Sequence, residues 1–354
     1  PATGDSIQAI DLSADGRYVL FTLDEYGDVK LDPNAPANQQ QQAGPLYRKD
    51  MDTGDIVRVD TLSGGKYVEP MSALGEAAIS ADGNFVVFEH SNTEYAGQSS
   101  GQKSHVYRKN LKTGELEVVD IKPDGSPSDL TAESGGYGIS ISADGQYVTF
   151  LQYAEQSPYD PYSGETGYFT DLITGLDDLS QYASVYVRDM SKESGNSIQL
   201  VNSSDEGEPS DDNGYGSGVA ISADGLFAAF TSGASNLVDG VSGGPQVYIK
   251  DLETGEIILG STSSDGSAGQ GFSAVTPNSL SSDGRYLAFE SSASNLVPSD
   301  TNNVYDVFVK DLWYNTIERV SVSGGNEVND QARLVGISDD GKSITFSTSA
   351  SSID

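Results

Sequence analysis

Short runs in which apolar and polar residues alternate recur along the chain around one piece of polar punctuation. Ala78-Ile79-Ser80 leads into Ala-Asp-Gly and out into Phe85-Val86-Val87-Phe88, and Arg17-Tyr18-Val19-Leu20-Phe21 leaves the same kind of turn earlier. A period of two marks a half-buried strand. Asp-Gly between two such runs marks a tight hairpin, because glycine accepts the positive φ the turn demands. The turn Ser-x-Asp-Gly occurs six times, with its aspartate at 15, 82, 144, 224, 283 and 340, a spacing of 57 to 80 residues. A second module follows after a variable gap: Leu46-Tyr47-Arg48-Lys49-Asp50, then 106–110, 185–189, 247–251 and 307–311. It runs into another turn, Asp52-Thr53-Gly54 or Glu253-Thr254-Gly255, and a further apolar run such as Ile56-Val57-Arg58-Val59. The first module predicts strands A and B of a repeat, the second strands C and D.

Four antiparallel strands at this period predict an all-β fold, a six-bladed β-propeller of four-stranded antiparallel blades. Blade starts fall near residues 7, 74, 137, 217, 274 and 332, and no Pro-rich or charged linker divides the series, so residues 1–354 read as one domain. The last blade is incomplete: 334–347 supply strands A and B, and the sequence stops at Asp354 before any C or D strand. Only six residues precede the first strand A, too few to lend the missing pair. The expectation is that a longer polypeptide completes or covers this blade; the alternative is a native two-stranded blade with an exposed edge.

The pattern I-S-x-D-G-x-[YF]-[VLA]-x-F followed by [VL]-[YF]-x-[RK]-[DN]-[LM]-x-T-G resembles the WD-like repeats of TolB-like β-propellers, over nearly the whole chain. The most typical copy, Leu280 to Val320, holds Ser294-Asn295-Leu296-Val297 and Asp300-Thr301-Asn302-Asn303, as in secreted bacterial members of that group. The resemblance implies the fold and leaves the activity open, since related propellers include scaffolds, peptidase domains and polysaccharide lyases.

Composition narrows the partners. Lys and Arg total 19 against 53 Asp and Glu, a formal charge of −34. Such a field argues against nucleic acid and anionic membranes, and favours solubility and divalent cations. Cysteine is absent, which excludes thiolate chemistry and disulfides. No apolar run is long enough to span a membrane, and the opening PATGDS has neither a basic nor an apolar leader region, so the chain reads as cytosolic or as stripped of an export signal.

In such blades the A–B and C–D turns share one face, while the longer B–C and D–A connections share the other. Binding is expected on the long-loop face. The B–C connection of repeat 3 carries Tyr153, Tyr159, Tyr162, Tyr168 and Phe169, and Tyr215 precedes repeat 4. Tyrosines offer rigid, amphipathic contact area, or alternatively a small satellite core holding the insert down. Carboxylates of the D–A connections, among them Glu76, Asp205, Asp265 and Asp330, are expected to converge around the channel mouth. Asp211, Asp212 and Asn213, and Asp300, Asn302 and Asp306, are close-spaced hard oxygens that suit calcium, though local turn bonding is the ordinary reading of such runs.

His90 and His105 are the only histidines, expected to face one another at the strand ends of repeat 2 beside Glu89, either solvated or as a transition-metal or acid–base pair. The resemblance to oligogalacturonate lyases implies a richer histidine set than this chain has. No Gly-x-Ser-x-Gly elbow or phosphate loop is present, and no catalytic set stands out. Trp313-Tyr314-Asn315 replaces the usual x-Thr-Gly of a C–D turn; the tryptophan either stacks on a sugar or packs over the blade edge.

The expectation is a secreted or cell-surface bacterial binding module, with the periplasm as alternative. It would form part of a larger protein such as an adhesin, grip a protein or glycan and use calcium, with no nucleic acid and no membrane insertion. A polysaccharide-degrading enzyme and a non-binding scaffold remain the alternatives.

Overall fold

The computed structural model describes residues 6–24, 45–66, 76–91, 104–128, 131–132, 138–153, 172–173, 183–211, 218–241, 244–298 and 300–351. Each of the first five repeats forms an antiparallel sheet with its strands in the order A-B-C-D. Repeat 1 comprises Ser6–Leu12, Tyr18–Asp24, Leu46–Asp50 and Ile56–Arg58; repeat 2 comprises Ala77–Ile79, Phe85–His90, His105–Asn110 and Leu116–Val118. Repeat 3 runs from Ile139–Ile141 through Tyr147–Tyr153 and Ala183–Asp189 to Ile198–Leu200, with Thr131–Ala132 added beside Tyr147–Tyr153. Repeat 4 holds Val219–Ile221, Phe227–Ser232, Gln246–Asp251 and Ile257–Leu259, and repeat 5 holds Ser273–Ala274, Tyr286–Ser291, Asp306–Asp311 and Thr316–Arg319. Repeat 6 is the two-stranded pair Ala332–Ile337 and Ile344–Thr348. No helix among the described residues is long and apolar enough to cross a membrane.

The A–B turn is a local hydrogen-bonded motif, which is why the sequence announces it so clearly. In all six copies the serine hydroxyl donates to the turn aspartate at 2.6 to 2.9 Å. The same hydroxyl accepts the amide that opens strand B, as Tyr18 N to Ser13 Oγ at 2.9 Å. Inside each of the first five sheets a strand-B phenylalanine meets a strand-C aromatic ring with centroids 5.7 Å apart: Phe21 with Tyr47, Phe88 with Tyr107, Phe150 with Tyr186, Phe230 with Tyr248, and Phe289 with Phe308.

Neighbouring repeats are joined by three recurrent devices. First, the aromatic residue after each turn lies against the turn glycine of the following repeat: Tyr18 on Gly83, Phe85 on Gly145, Tyr147 on Gly225, Phe227 on Gly284 and Tyr286 on Gly341. Second, a strand-C cation reaches back to backbone carbonyls of the preceding repeat. Lys109 bonds Thr61 and Leu62, Arg188 bonds Val118 and Val119, Lys250 bonds Ser203 and Ser204, and Lys310 bonds Thr262 and Ser263. Third, apolar clusters bridge each successive pair, for example Val219 and Phe230 with Val185 and Val187.

The inner strands meet at the axis, and here repeat 5 departs from the pattern. Its strand A is broken after Ser273–Ala274, because Pro277 has no amide to continue the ladder. The following segment crosses the axis instead. Ser140 Oγ of repeat 3 donates to Pro277 O at 3.1 Å, Ile337 N of repeat 6 donates to Asn278 O at 2.9 Å, and Asn278 Nδ2 reaches Asp11 of repeat 1 at 3.4 Å. A residual space of about 100 Å³ remains beside this plug.

The seam between repeats 6 and 1 is built differently. Ser343 stands where the other repeats have the post-turn aromatic residue, and a Cβ placed on Gly16 would meet nothing within 4 Å. A cleft of about 700 Å³ lies there, lined by Ile10, Leu12, Val335, Ile337, Ser343 and Thr345.

Candidate functional site

The D–A carboxylates that are described do not gather at the channel mouth. After strand D the chain first turns back in a small hairpin over the outer strand of the next repeat, and the acidic residues are used there. Asp205 Oδ1 accepts Ile257 N at 2.7 Å, and Asp265 Oδ1 accepts Ser263 Oγ and Ser267 N within its own turn. Asp330 is likewise bound to Ser349 Oγ and Gln331 N. Those hydrogen bonds favour the ionised form and hold Asp265 near 2. Glu76 is the exception; it turns inward and accepts the amide of Gly138.

Asp211 ties such a hairpin to the next repeat. Its carboxylate accepts Ser235 N at 2.7 Å and Ser235 Oγ at 2.6 Å, which lowers its pKa, while Asn236 Nδ2 donates to Pro209 O at 2.7 Å. Asn295 repeats this one blade on, with its Nδ2 on Ala268 O at 2.9 Å. The Ser-Asn-Leu-Val segments are therefore clasps, with Leu237 and Leu296 buried beneath them. Asp212, Asn213, Tyr215, Tyr159, Tyr162, Tyr168 and Phe169 lie outside the described residues. Tyr153 closes strand B of repeat 3, paired with Ala183 and Thr131.

At Asp300, Asn302 and Asp306 the structure already supplies a cation. The guanidinium Nη1 of Arg319 lies 3.4 Å from Asp300, 3.5 Å from Asp306 and 2.9 Å from Glu327. Asp306 is fully buried and takes the Ser321 hydroxyl at 2.5 Å, and Asn302 Nδ2 donates to Val328 O at 2.9 Å. Burial, with the Asp306 charge beside it, raises the Asp300 pKa. A calcium ion at these oxygens would have to displace Arg319. Sequence reasoning passed over this arginine, although Arg58 holds the same place in repeat 1 and pairs with Asp60 at 2.9 Å.

His90 and His105 are cross-strand partners, as expected, but both are buried rather than solvated. Burial, and then the nearby Arg58 charge, lowers the His90 pKa to about 4. His105 Nδ1 lies 2.7 Å from Asp120 Oδ2, and Asp120 also takes Gln152 Nε2 at 3.0 Å and Val106 N at 3.1 Å. The arrangement has the outline of a catalytic dyad, yet the position after strand D bonds the start of strand C in every complete sheet. Asp60 takes Leu46 N, Asn202 takes Val185 N, Ser261 takes Val247 N and Ser321 takes Val307 N. Gln246 and Asp306 stand where His105 does and bond the same partner residue. The His–Asp pair is one version of a repeated structural latch.

The exposed chemistry lies elsewhere. Trp313 and Tyr314 are 67% and 72% exposed at the C–D turn of repeat 5. Their turn is held locally: Asp311 Oδ1 accepts both their amides, at 3.0 and 3.2 Å, and Asn315 takes the left-handed conformation, φ 51°, where repeats 1, 2 and 4 use Gly54, Gly114 and Gly255. The Arg285 guanidinium, bonded to Asp311 at 2.6 Å, sits 4.9 Å from the Trp313 ring, 5.1 Å from Tyr314 and 4.7 Å from Tyr286. That ion pair raises the arginine pKa, so its charge is permanent.

Comparison with known structures accords with this architecture. The chain is similar to the β-propeller domain of the Trilobed protease from Pyrococcus furiosus, reported to have an open velcro topology, at 11% identity and a TM-score of 0.53, over 98% of this chain and 78% of that one. The fold is a β-propeller. A protein described as TolB from Agrobacterium tumefaciens is 16% identical with a TM-score of 0.49, over 98% of this chain and 91% of that one. An oligogalacturonate lyase in complex with manganese is 12% identical with a TM-score of 0.41, over 97% and 86%. No family model and no curated protein matches the chain in sequence. At these identities the likeness is one of fold, and the propeller's function rests on its own surface.

Proposed function

We propose that this propeller is a binding module of the extracellular or periplasmic space that grips a protein or glycan with the aromatic turn of repeat 5. The observation that carries this reading is the exposure of Trp313 and Tyr314 on a turn fixed by Asp311 and Asn315, with Arg285 held between the rings. Trp, Tyr and Arg are the side chains that most often dominate interface energetics. A turn already ordered before binding avoids much of the entropic cost of association. At the positions of Trp313 and Tyr314 the other C–D turns carry Asp52-Thr53, Lys112-Thr113, Ser191-Lys192 and Glu253-Thr254, none of them aromatic. The catalytic-looking groups support binding over turnover, because His105–Asp120 and Arg319 with its carboxylates are engaged internally.

Trp313 is the only tryptophan, so its emission reports on this site alone. Screening the chain against protein and glycan arrays and titrating each hit by fluorescence should give a saturable change in that emission. Trp313→Ala should weaken the same ligand at least about tenfold, the loss of one hot-spot side chain. A ligand that binds saturably with no emission change and equal affinity for Trp313→Ala would overturn the assignment.

A further inference from the structure

One position of strand C faces the joint with the next repeat, and its occupant changes along the chain. Strand C opens Leu46-Tyr47-Arg48 in repeat 1, Val106-Tyr107-Arg108 in repeat 2, Val185-Tyr186-Val187 in repeat 3, Val247-Tyr248-Ile249 in repeat 4 and Val307-Phe308-Val309 in repeat 5. Where the third residue is arginine, its guanidinium lies over the post-turn ring of its own repeat and donates to the turn glycine of the following one. Arg48 Cζ stands 4.3 Å from the Tyr18 centroid, with Nη1 2.6 Å from Gly83 O. Arg108 Cζ stands 4.8 Å from the Phe85 centroid, with Nη1 2.6 Å from Gly145 O, and Glu117 of strand D takes its Nε at 3.1 Å and its Nη2 at 2.5 Å. Ring, carbonyl and strand-D acceptor together form a guanidinium receptor, which the chain fills twice with its own side chains.

Between repeats 3 and 4 the receptor is kept, but Val187 replaces the arginine. The Tyr147 ring lies on Gly225 as Tyr18 lies on Gly83. Among the described residues no donor reaches Gly225 O. Gln199, paired with Val187 across strands C and D, stands where Glu117 pairs with Arg108. The shorter side chain leaves a cavity of about 400 Å³, lined by Tyr147, Val187, Gln199, Gly225, Asp189 and Glu253 with their neighbours. Repeats 4 and 5 also lack the arginine, but their C–D turns are shorter. In repeat 3 the longer connection, with its 3₁₀ turn Ser194–Asn196, walls the space through Asn196 and Ser197. At the rim Asp189 is engaged by Gln146, Ser191 and Lys192, whereas Glu253 is an exposed carboxylate that no described cation pairs with.

We propose that this cavity takes an arginine side chain of a partner protein, laid against Tyr147, with its N–H groups on Gly225 O and the Gln199 carbonyl and its charge toward Glu253. The site is separate from the aromatic turn of repeat 5. A lysine fits it less well, because a compact ammonium neither stacks flat on a ring nor forks between two fixed acceptors. The chain's charge of −34 draws a basic segment toward it.

The test uses the whole chain and the peptide acetyl-Gly-Gly-Arg-Gly-Gly-amide, with lysine and citrulline versions beside it. An NMR titration should show saturable shifts at the amides of Gly225, Leu226 and Gln199 with the arginine peptide. Binding should be at least about tenfold weaker with lysine and absent with citrulline, which keeps the shape and loses the charge. Gln199→Glu restores the acceptor of repeat 2 and should tighten arginine binding about threefold or more. Gln199→Lys should abolish it, and both variants, at an exposed position, should melt near the parent. Val187→Arg should block the peptide from within; where that variant does not fold, the two Gln199 variants carry the test. The proposal is overturned by an absence of shifts at millimolar peptide, by shifts confined to other amides, or by affinity unchanged in both Gln199 variants. Lysine binding as tightly as arginine would overturn it in favour of plain attraction to an acidic surface. Shifts at these amides that grow with protein concentration alone would overturn it in favour of a second copy.

Discussion

Alanine at Gly225 and at Gly16 should have very different consequences, although the two glycines occupy the same place in the same turn. Both have positive φ, 74° and 69°, so each substitution carries the left-handed penalty of about 1 kcal/mol for an L-residue. Both also share the gain from a stiffer unfolded chain, which cancels in the comparison. The difference lies in the neighbour. A Cβ on Gly225 would stand 2.2 Å from Tyr147 Cδ2 and 2.8 Å from its Cγ, far inside ordinary contact, whereas a Cβ on Gly16 meets nothing within 4 Å. The Tyr147 ring would have to leave the joint between repeats 3 and 4, an overpacking cost of about 1–3 kcal/mol. Urea denaturation followed by circular dichroism should therefore place Gly16→Ala about 1 kcal/mol below the parent and Gly225→Ala about 2–4 kcal/mol below it. In a Tyr147→Ala background the Gly225→Ala loss should fall to the Gly16 value. Equal losses at the two glycines, or a Gly225→Ala loss unchanged without the tyrosine ring, would refute the stapling of repeats by ring on glycine.

Lys310→Met keeps the buried stem but leaves Thr262 and Ser263 carbonyls without their donor, and should cost about 2–4 kcal/mol in urea melts. Arg319→Met strands Asp300, Asp306 and Glu327 together and should cost about 3–5 kcal/mol; millimolar calcium should restore more of the variant's melting temperature than it adds to the parent's. The His90 pKa is lowered on folding from 6.5 to about 4, so between those values the unfolded chain holds the extra proton and stability falls as pH falls. The loss should approach about 3 kcal/mol by pH 4, and His90→Gln should flatten that part of the stability profile; an unchanged slope would refute the buried neutral imidazole.

Much of the fold was legible because the signals are local. Ser13, Asp15, Gly16 and Tyr18 bond one another within six residues, and the same set recurs wherever the repeat does. Pro277 was also readable in principle, as a residue without an amide inside an expected inner strand. The candidate site was far less legible. Asp300, Asn302 and Asp306 look like metal ligands until strand D brings Arg319 back beside them, a meeting set by the pairing of Phe308 with Arg319. His105 looks like chemistry until Gln246 and Asp306 are seen doing the same work in other repeats. Comparing copies position by position, rather than reading each motif alone, separates latch from site. Trp313 was visible as a departure from Thr-Gly, but its exposure and the arginine between the rings required the structure.

The use of the basic residues sharpens what the surface can bind. Arg48 and Arg108 point their Nη1 groups at the turn carbonyls of Gly83 and Gly145 in the next repeat, while Lys109, Arg188, Lys250 and Lys310 point back at the preceding one. Arg58 and Arg319 are spent on buried carboxylates. These cations are committed to joints, so the solvent meets a surface more acidic than the ratio of 19 to 53 suggests. Such a field slows the approach of anionic partners and steers basic ones toward it.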